Sequence, residues 1–233
     1  MTKISIEVKT GNITEQDVNL LVNSSNTYLL LGSGTAEQIR DAGGYLPADD
    51  KVSNLEYWNL VNRADSTFRK VLDYIHSKRP IPSKIQKECL EIMINGNNSK
   101  ELKLGNAVLT TSGDLAKVQN KARYIAHAIG MTYDWKVQPN PPILPATFEA
   151  VRDSLENSFE IASEIKCESL AMPVMCTRKG GLTKEESSEA TLQALERLNK
   201  RDTPVDKVVV VLYSEELERE KEWFKKFYSS SNF

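Results

Sequence analysis

The sequence predicts an α/β fold, a sheet enclosed between two layers of helices, and two observations carry that prediction. Apolar runs rich in Val and Ile alternate with amphipathic segments along most of the 233 residues, the pattern that arises when strands and helices take turns along a chain. The run Val208-Val209-Val210-Val211-Leu212 is apolar at every position, so both of its faces need cover and it reads as a buried central strand.

The elements follow in order. Strand-like runs fall at Ile4–Val8, Leu20–Val22, Ala107–Thr110, Tyr124–Ala128, Leu170–Pro173 and Val208–Tyr213. Ser83-x-x-Gln86 and Thr183-x-x-Glu186 match the capping box, in which two side chains satisfy free amide donors at a helix start, and each introduces a helix. Phe148, Val151, Leu155, Phe159 and Ala162 recur at three- and four-residue steps and give one apolar face to a helix that begins after Pro145. Leu217, Phe224 and Phe227 form a similar stripe behind Ser214, a suitable N-cap. Core packing is the first explanation for such stripes.

Between Gly44 and Ser83 the alternation lapses into a polar stretch too long for an ordinary connection. The prediction is one domain over residues 1–233, interrupted by a helical insertion at about 45–82. Tyr57, Trp58, Leu60 and Val61 suit one helix and Phe68, Val71, Leu72 and Ile75 a second, with Pro80 and Pro82 closing the excursion. The Ser229–Ser231 tail is expected to fray.

Composition narrows the function classes. The formal net charge is −2, so the average field offers no attraction for nucleic acid. Cys89, Cys167 and Cys176 are few and widely spaced, with no CxxC pair and no histidines around them, which argues against a disulfide scaffold or a structural zinc site. His76 likewise has no partner at metal spacing and reads as a surface residue. No segment approaches membrane-spanning length and the N-terminus lacks a leader pattern. A reducing cytoplasm is the predicted compartment, with no membrane, metal or cofactor required.

Two loops could hold an anion. The first follows Val22-Asn23-Ser24-Ser25-Asn26 and contains Gly32-Ser33-Gly34-Thr35-Ala36, which runs into an amphipathic segment. The second, Met172-Pro173-Val174-Met175-Cys176-Thr177-Arg178-Lys179-Gly180-Gly181-Leu182, again lies between a strand and a capped helix. Glycines let amides approach a phosphate, and the N-terminus of the following helix adds unpaired N–H groups and a positive dipole end. Arg178 and Lys179 add full charges, although a solvated basic turn explains them as well.

The order and spacing of these segments resemble the macrodomain family over nearly the whole chain apart from the insertion. Gly11-Asn12-Ile13-Thr14 resembles the family's Gly-Asp-Ile-Thr opening, Val22-Asn23-Ser24-Ser25-Asn26 its Val-Asn-Ala-Ala-Asn loop, and Gly32–Ile39 its first phosphate loop. Cys89 in a Glu-Cys helix segment, Ile125-Ala126-His127-Ala128, and Ser169-Leu170-Ala171-Met172-Pro173 match further family segments. The resemblance implies a three-layer α/β/α sheet with a cleft for ADP-ribose, a related metabolite or an ADP-ribosylated protein. Asn12 and Ile13 would then lie beside the adenine, with Tyr213 stacked on it. Gly34, Thr35 and Ala36 would face the diphosphate from one side, and Thr177, Arg178, Lys179, Gly180, Gly181 and Leu182 from the other. Asn26 would face the distal ribose and is the best catalytic candidate.

Departures from the family pattern bear on function. Asn12 stands where relatives carry Asp, which points to weaker or relaxed base selection. Arg178 replaces a glycine and Leu182 an aromatic residue, so the second loop either keeps ordinary dihedrals at Arg178 or takes another path. Arg178 could pair with phosphate or fill the cleft. Ala36 occupies the position at which one group of de-ADP-ribosylating relatives holds an aspartate that activates water, and Glu37 points about 100° away from it on a helix. His127 reads as a core histidine, and Cys176 lacks a paired base. Three functions follow from the resemblance: a reader of ADP-ribose, a hydrolase of ADP-ribose linkages or of O-acetyl-ADP-ribose, or a degenerate module that binds protein.

Overall fold

Strands form where the sequence is most apolar, and in the computed structural model, which describes residues 4–78, 82–118, 121–134, 137 and 142–229, they assemble into one mixed sheet. The strands are β1 (Ser5–Thr10), β2 (Leu20–Asn26), β3 (Ala107–Thr111), β4 (Tyr124–Tyr133), β5 (Ile143–Leu144), β6 (Ser169–Pro173) and β7 (Lys207–Leu212). Their order is β1-β7-β6-β2-β4-β3, with β5 paired to the far part of β4. Pairing is parallel from β1 through β4, whereas β3 and β5 run antiparallel to β4. All six predicted strands form. The run Val208–Leu212 is interior but not central, since it lies one place from the β1 edge. The short β5 had no prediction behind it.

Both faces of the sheet are covered. Val208, Val210 and Leu212 point into one apolar layer, and Val209 and Val211 into the other. The first layer is closed by α5 (Phe148–Glu164), α6 (Lys184–Asn199) and α8 (Lys221–Ser229), through Val151, Leu155, Phe159, Ala194, Leu195, Phe224 and Tyr228. The second contains α1 (Thr35–Ala42), α2 (Lys51–Arg63), α3 (Ser66–Lys78) and α4 (Lys84–Glu91), through Ile39, Tyr57, Leu60, Phe68, Leu72, Ile85 and Cys89. The three-layer α/β/α architecture follows from strands that need cover on both sides.

Capping chemistry sets the helix starts. Thr183 accepts from the Glu186 amide at 3.1 Å while the Glu186 carboxylate accepts from the Thr183 amide at 2.9 Å, a complete capping box. Ser83 accepts from the Gln86 amide at 3.0 Å, but the Gln86 side chain does not return to Ser83, so only half of the predicted box forms. The Gln86 amide is taken by a loop of the sheet, described below. Thr147 caps α5, and Ser214 caps α7 (Glu215–Arg219), which breaks at Glu220 before α8 begins. The predicted C-terminal stripe is therefore shared by two helices.

Residues 45–82 leave and return at one place: Tyr45 bridges Ser83, the Leu46 amide donates to the Pro82 carbonyl at 2.9 Å, and the Lys84 amide to the Gly44 carbonyl at 3.1 Å. Tyr57, Leu60 and Val61 are buried as predicted, while Trp58 is 40% exposed because the next residue on a helix lies about 100° round. Phe68, Val71 and Leu72 are buried, and Phe68 stacks on Tyr28 with ring centroids 5.1 Å apart. The side chains of Ile75 and His76, residue Pro80 and the tail beyond Ser229 lie outside the described residues.

Candidate functional site

The parallel strands β2, β6 and β7 point the same way, and the segments that follow them meet at one edge of the sheet. There they enclose a cleft of about 730 Å³. Open α/β sheets place ligands at this edge because the loops after the strands diverge around it.

The segment after β2 is held by buried amides and a buried cation. Asn26 Oδ1 accepts from the amides of Tyr28 and Leu30 at 3.1 and 3.2 Å, and its Nδ2 donates to the Leu30 carbonyl at 2.9 Å. Gln86 spans the same turn, accepting from the Leu31 amide at 3.0 Å and donating to the Leu29 carbonyl at 3.3 Å. Arg40 donates to the Leu31 carbonyl at 2.7 Å. These bonds support Leu29 at a positive φ of 54°, an unfavourable conformation for a branched side chain. The chain then reaches Gly34, at φ 64° and ψ −135°, and enters α1 without a side-chain cap. Every other α-helix start from α2 to α7 has a capping oxygen, from Asp50, Asp65, Ser83, Thr147, Thr183 or Ser214. The first amides of α1 thus face the cleft without a side-chain acceptor.

The second loop is folded around Cys176, whose φ of 57° takes the left-handed conformation while Arg178 keeps an ordinary one. A Cβ on Gly180 would lie 2.6 Å from the Cys176 Cβ and carbonyl oxygen, which leaves no room for a side chain there, and one on Gly130 would lie 2.9 Å from the Cys176 sulfur, which would have to move. Burial pushes the Cys176 thiol up to about 11, with the Ser24 hydroxyl 3.6 Å away acting in the opposite sense. It is a neutral wall of the cleft, not a poised nucleophile.

Side chains link the loops across the gap. Lys179 Nζ donates to Ser33 Oγ at 3.0 Å. Tyr213 lies over Gly34, whose added Cβ would meet the Tyr213 ring and hydroxyl at 3.8 Å. Burial raises the Tyr213 pKa, and the Arg178 guanidinium beside the phenol opposes that rise.

Of the residues predicted from sequence, Asn26, Gly34, Thr35, Ala36, Thr177, Arg178, Lys179 and Tyr213 line the cleft. Asn12, Ile13, Gly180, Gly181 and Leu182 do not. Ile13 is fully buried in the core with α1 and α4, and Leu182 is buried in the opposite core. Asn12 caps a short 3₁₀ turn: its Oδ1 accepts from the Thr14 amide at 3.0 Å and from the Thr14 hydroxyl at 2.9 Å. Gly180 packs on Cys176 and its carbonyl accepts from the Ala146 amide at 2.8 Å. Glu37 pairs with Arg40 at 3.5 Å and is not among the residues lining the cleft.

Sequence reasoning missed Ser24, Ser33, Met131, Tyr133 and Glu216 as lining residues. Ser24 was legible, because it lies two residues before Asn26 on one strand and shares its face. Met131 and Tyr133 required knowing that β4 continues beyond Ala128.

His127 is fully buried and lies away from the cleft, as a core histidine. Its Nδ1 is 3.1 Å from Asn23 Nδ2, and its Nε2 is 2.9 Å from Thr110 Oγ1 and 3.8 Å from the Cys89 sulfur. Burial lowers its pKa to about 3, so it is uncharged. No helix among the described residues is long and apolar enough to cross a membrane.

The Macro domain family model matches residues 61–191, more than half of the 233 residues, and the chain belongs to the macrodomain family. The first loop precedes the matched segment. The chain is similar to an O-acetyl-ADP-ribose deacetylase from Klebsiella pneumoniae, at 23% identity over 90% of each chain. Its fold is similar to that of an Oceanobacillus iheyensis macrodomain solved with ADP, at 23% identity and a TM-score of 0.66, covering 98% of this chain and 92% of the other. It is also similar to a Trypanosoma brucei macrodomain solved in complex with ADP-ribose, at 16% identity and a TM-score of 0.61, covering 94% and 68%.

Proposed function

We propose that the cleft binds ADP-ribose or a close relative, free or attached to a protein, with its diphosphate between the start of α1 and residues 177–179 of the second loop. The observation that carries this reading is the uncapped helix start at Thr35 and Ala36, facing Arg178 and Lys179 across one cleft. Amide donors, a helix dipole and two cations converge on a space suited to a diphosphate. The cleft's size, about 730 Å³, falls within the range of about 300–1,000 Å³ for small-molecule sites. Ligands carried by the structural relatives point the same way. Tyr213 serves as the adenine platform, and Asn12, outside the lining, approaches the base from the β1 side. Asn26 contributes to the ribose end through the amide hydrogen that its loop bonds leave over.

Chemistry at this site is disfavoured by what the wall holds. Ala36 supplies no carboxylate, and Glu216 is the one acidic residue among those lining the cleft, at the Tyr213 end. Sequence similarity to a deacetylase supports the second reading, hydrolysis of an ester on ADP-ribose, which then needs water positioned by backbone and Asn26 alone. Calorimetric titration with ADP-ribose and with adenosine monophosphate tests the first reading: ADP-ribose binds with a Kd of about 1 µM to 0.5 mM and the monophosphate more weakly. No heat and no melting shift at millimolar ADP-ribose would reject it.

A further inference from the structure

The polar side chains at the Asn26 end of the cleft differ in what they have left to offer a ligand. Asn26 Oδ1 accepts from the amides of Tyr28 and Leu30 at 3.1 and 3.2 Å, which spends both of its lone pairs, and one Nδ2 hydrogen goes to the Leu30 carbonyl at 2.9 Å. A single N–H remains, so Asn26 can donate to a sugar hydroxyl but cannot accept from one. Ser24 lies two residues earlier on β2, is half-buried and lines the same cleft. Among the described residues its hydroxyl has one hydrogen-bonding neighbour, the Cys176 sulfur at 3.6 Å, a long contact with a weakly bonding atom. Whichever of the two donates, the Ser24 oxygen keeps a free lone pair. The flanking strands bring apolar lining residues to this part of the cleft: Met131, opposite Asn26 on β4, and Pro173 and Val174 at the end of β6.

We propose that Ser24 is a specificity residue of the cleft, its Oγ accepting the hydrogen of a ring hydroxyl on the distal sugar of the ligand. The inference rests on the cleft being the ADP-ribose site proposed above. A sugar hydroxyl both donates and accepts, and burying it with its hydrogen unmatched costs free energy. Asn26 supplies the donor and Ser24 the acceptor. Two residues along a strand span about 6–7 Å, a distance that one pentose with its hydroxyls can bridge. Ser24 therefore reads hydroxyl hydrogens and is indifferent to the diphosphate, which the start of α1 and residues 177–179 hold. One neutral hydrogen bond of this kind corresponds to about a three- to tenfold change in affinity.

The test compares ADP-ribose with ADP esterified on its β-phosphate by tetrahydrofurfuryl alcohol, which keeps the five-membered ring and the charge but lacks the ring hydroxyls. By calorimetry the wild type binds ADP-ribose more tightly than the ester. Ser24→Ala weakens ADP-ribose about three- to tenfold, leaves the affinity for the ester unchanged and melts close to the wild type. Equal affinities of the wild type for the two ligands overturn the inference and leave the proposed function standing. The same holds if Ser24→Ala binds ADP-ribose as the wild type does, or weakens both ligands equally, since Ser24 then reads no hydroxyl. Failure of ADP-ribose and the ester alike to bind the wild type overturns the inference together with the function on which it rests.

Discussion

Replacing Gly34 by alanine separates two ways in which the first loop can fail. The residue has φ 64° and ψ −135°, a combination that side chains avoid, yet its added Cβ would meet only the Tyr213 ring at 3.8 Å, an ordinary contact. The cost is therefore conformational and amounts to about 1–3 kcal/mol. If the free loop keeps its shape, the whole cost appears as lost stability, and for a chain of this size Tm falls by about 2–12 °C with affinity unchanged. If the free loop relaxes, Tm is preserved and binding must restore the strained shape, so Kd for ADP-ribose rises by about 5- to 150-fold. Intermediate cases divide the same total, because folding and binding form one thermodynamic cycle. Melting curves and titrations on wild type and Gly34→Ala measure both parts. A variant unchanged in Tm and in Kd would show that the positive φ of Gly34 is not needed and would refute the reasoning.

Tyr213→Ala should weaken adenine ligands more than ribose 5-phosphate, since stacking is lost while the phosphate donors remain; equal losses in paired titrations would exclude Tyr213 as the base platform. Asn12→Asp leaves one oxygen on Thr14 and supplies a second acceptor, so adenine ligands should gain about three- to tenfold over their inosine counterparts, and no change would place the base elsewhere. Ala36→Asp should raise the release of ADP-ribose from a modified acidic peptide above a slow or absent wild-type rate; robust wild-type release that survives Asn26→Ala would assign the chemistry to other groups. His127 is held neutral with a folded pKa of about 3, below the unfolded value near 6.5, so its contribution is complete above pH 6.5 and is lost as pH falls from there toward 3. About 2 kcal/mol should disappear by pH 5, and a His127 imidazole NMR signal, assigned by its loss in His127→Gln, that titrates near 6.5 in the folded protein would contradict this.

The layered fold was legible because strands covered on both faces must be apolar throughout, as Val208–Leu212 is, and helices covered on one face must repeat every three or four residues, as Phe148–Ala162 do. Cleft residues were legible at a strand's end, as Asn26 is, or in the glycine-containing loops between a strand and the next helix, as Gly34 and Arg178 are. What stayed hidden depends on contacts distant in sequence. Gln86 looked like half of a capping box, but its amide braces Leu29 and Leu31 some 55 residues away. Lys179 reaches Ser33 across 146 residues, and no periodicity encodes that bridge. Asn12 could be recognised as a neutral replacement for a carboxylate, yet only the structure shows its oxygen already bonded to Thr14. The positive φ expected to trouble Arg178 falls on Cys176, because Gly180 and Gly130 leave room for that residue to turn.

The most direct test of the central claim is amide NMR of the labelled chain titrated with ADP-ribose. The N–H groups of Thr35 and Ala36 at the uncapped start of α1, and those of Thr177 to Lys179 across the cleft, should shift together and saturate at a common Kd, because a diphosphate held between the loops accepts from both. Saturable shifts confined to other surfaces, with these amides unmoved, would contradict the account.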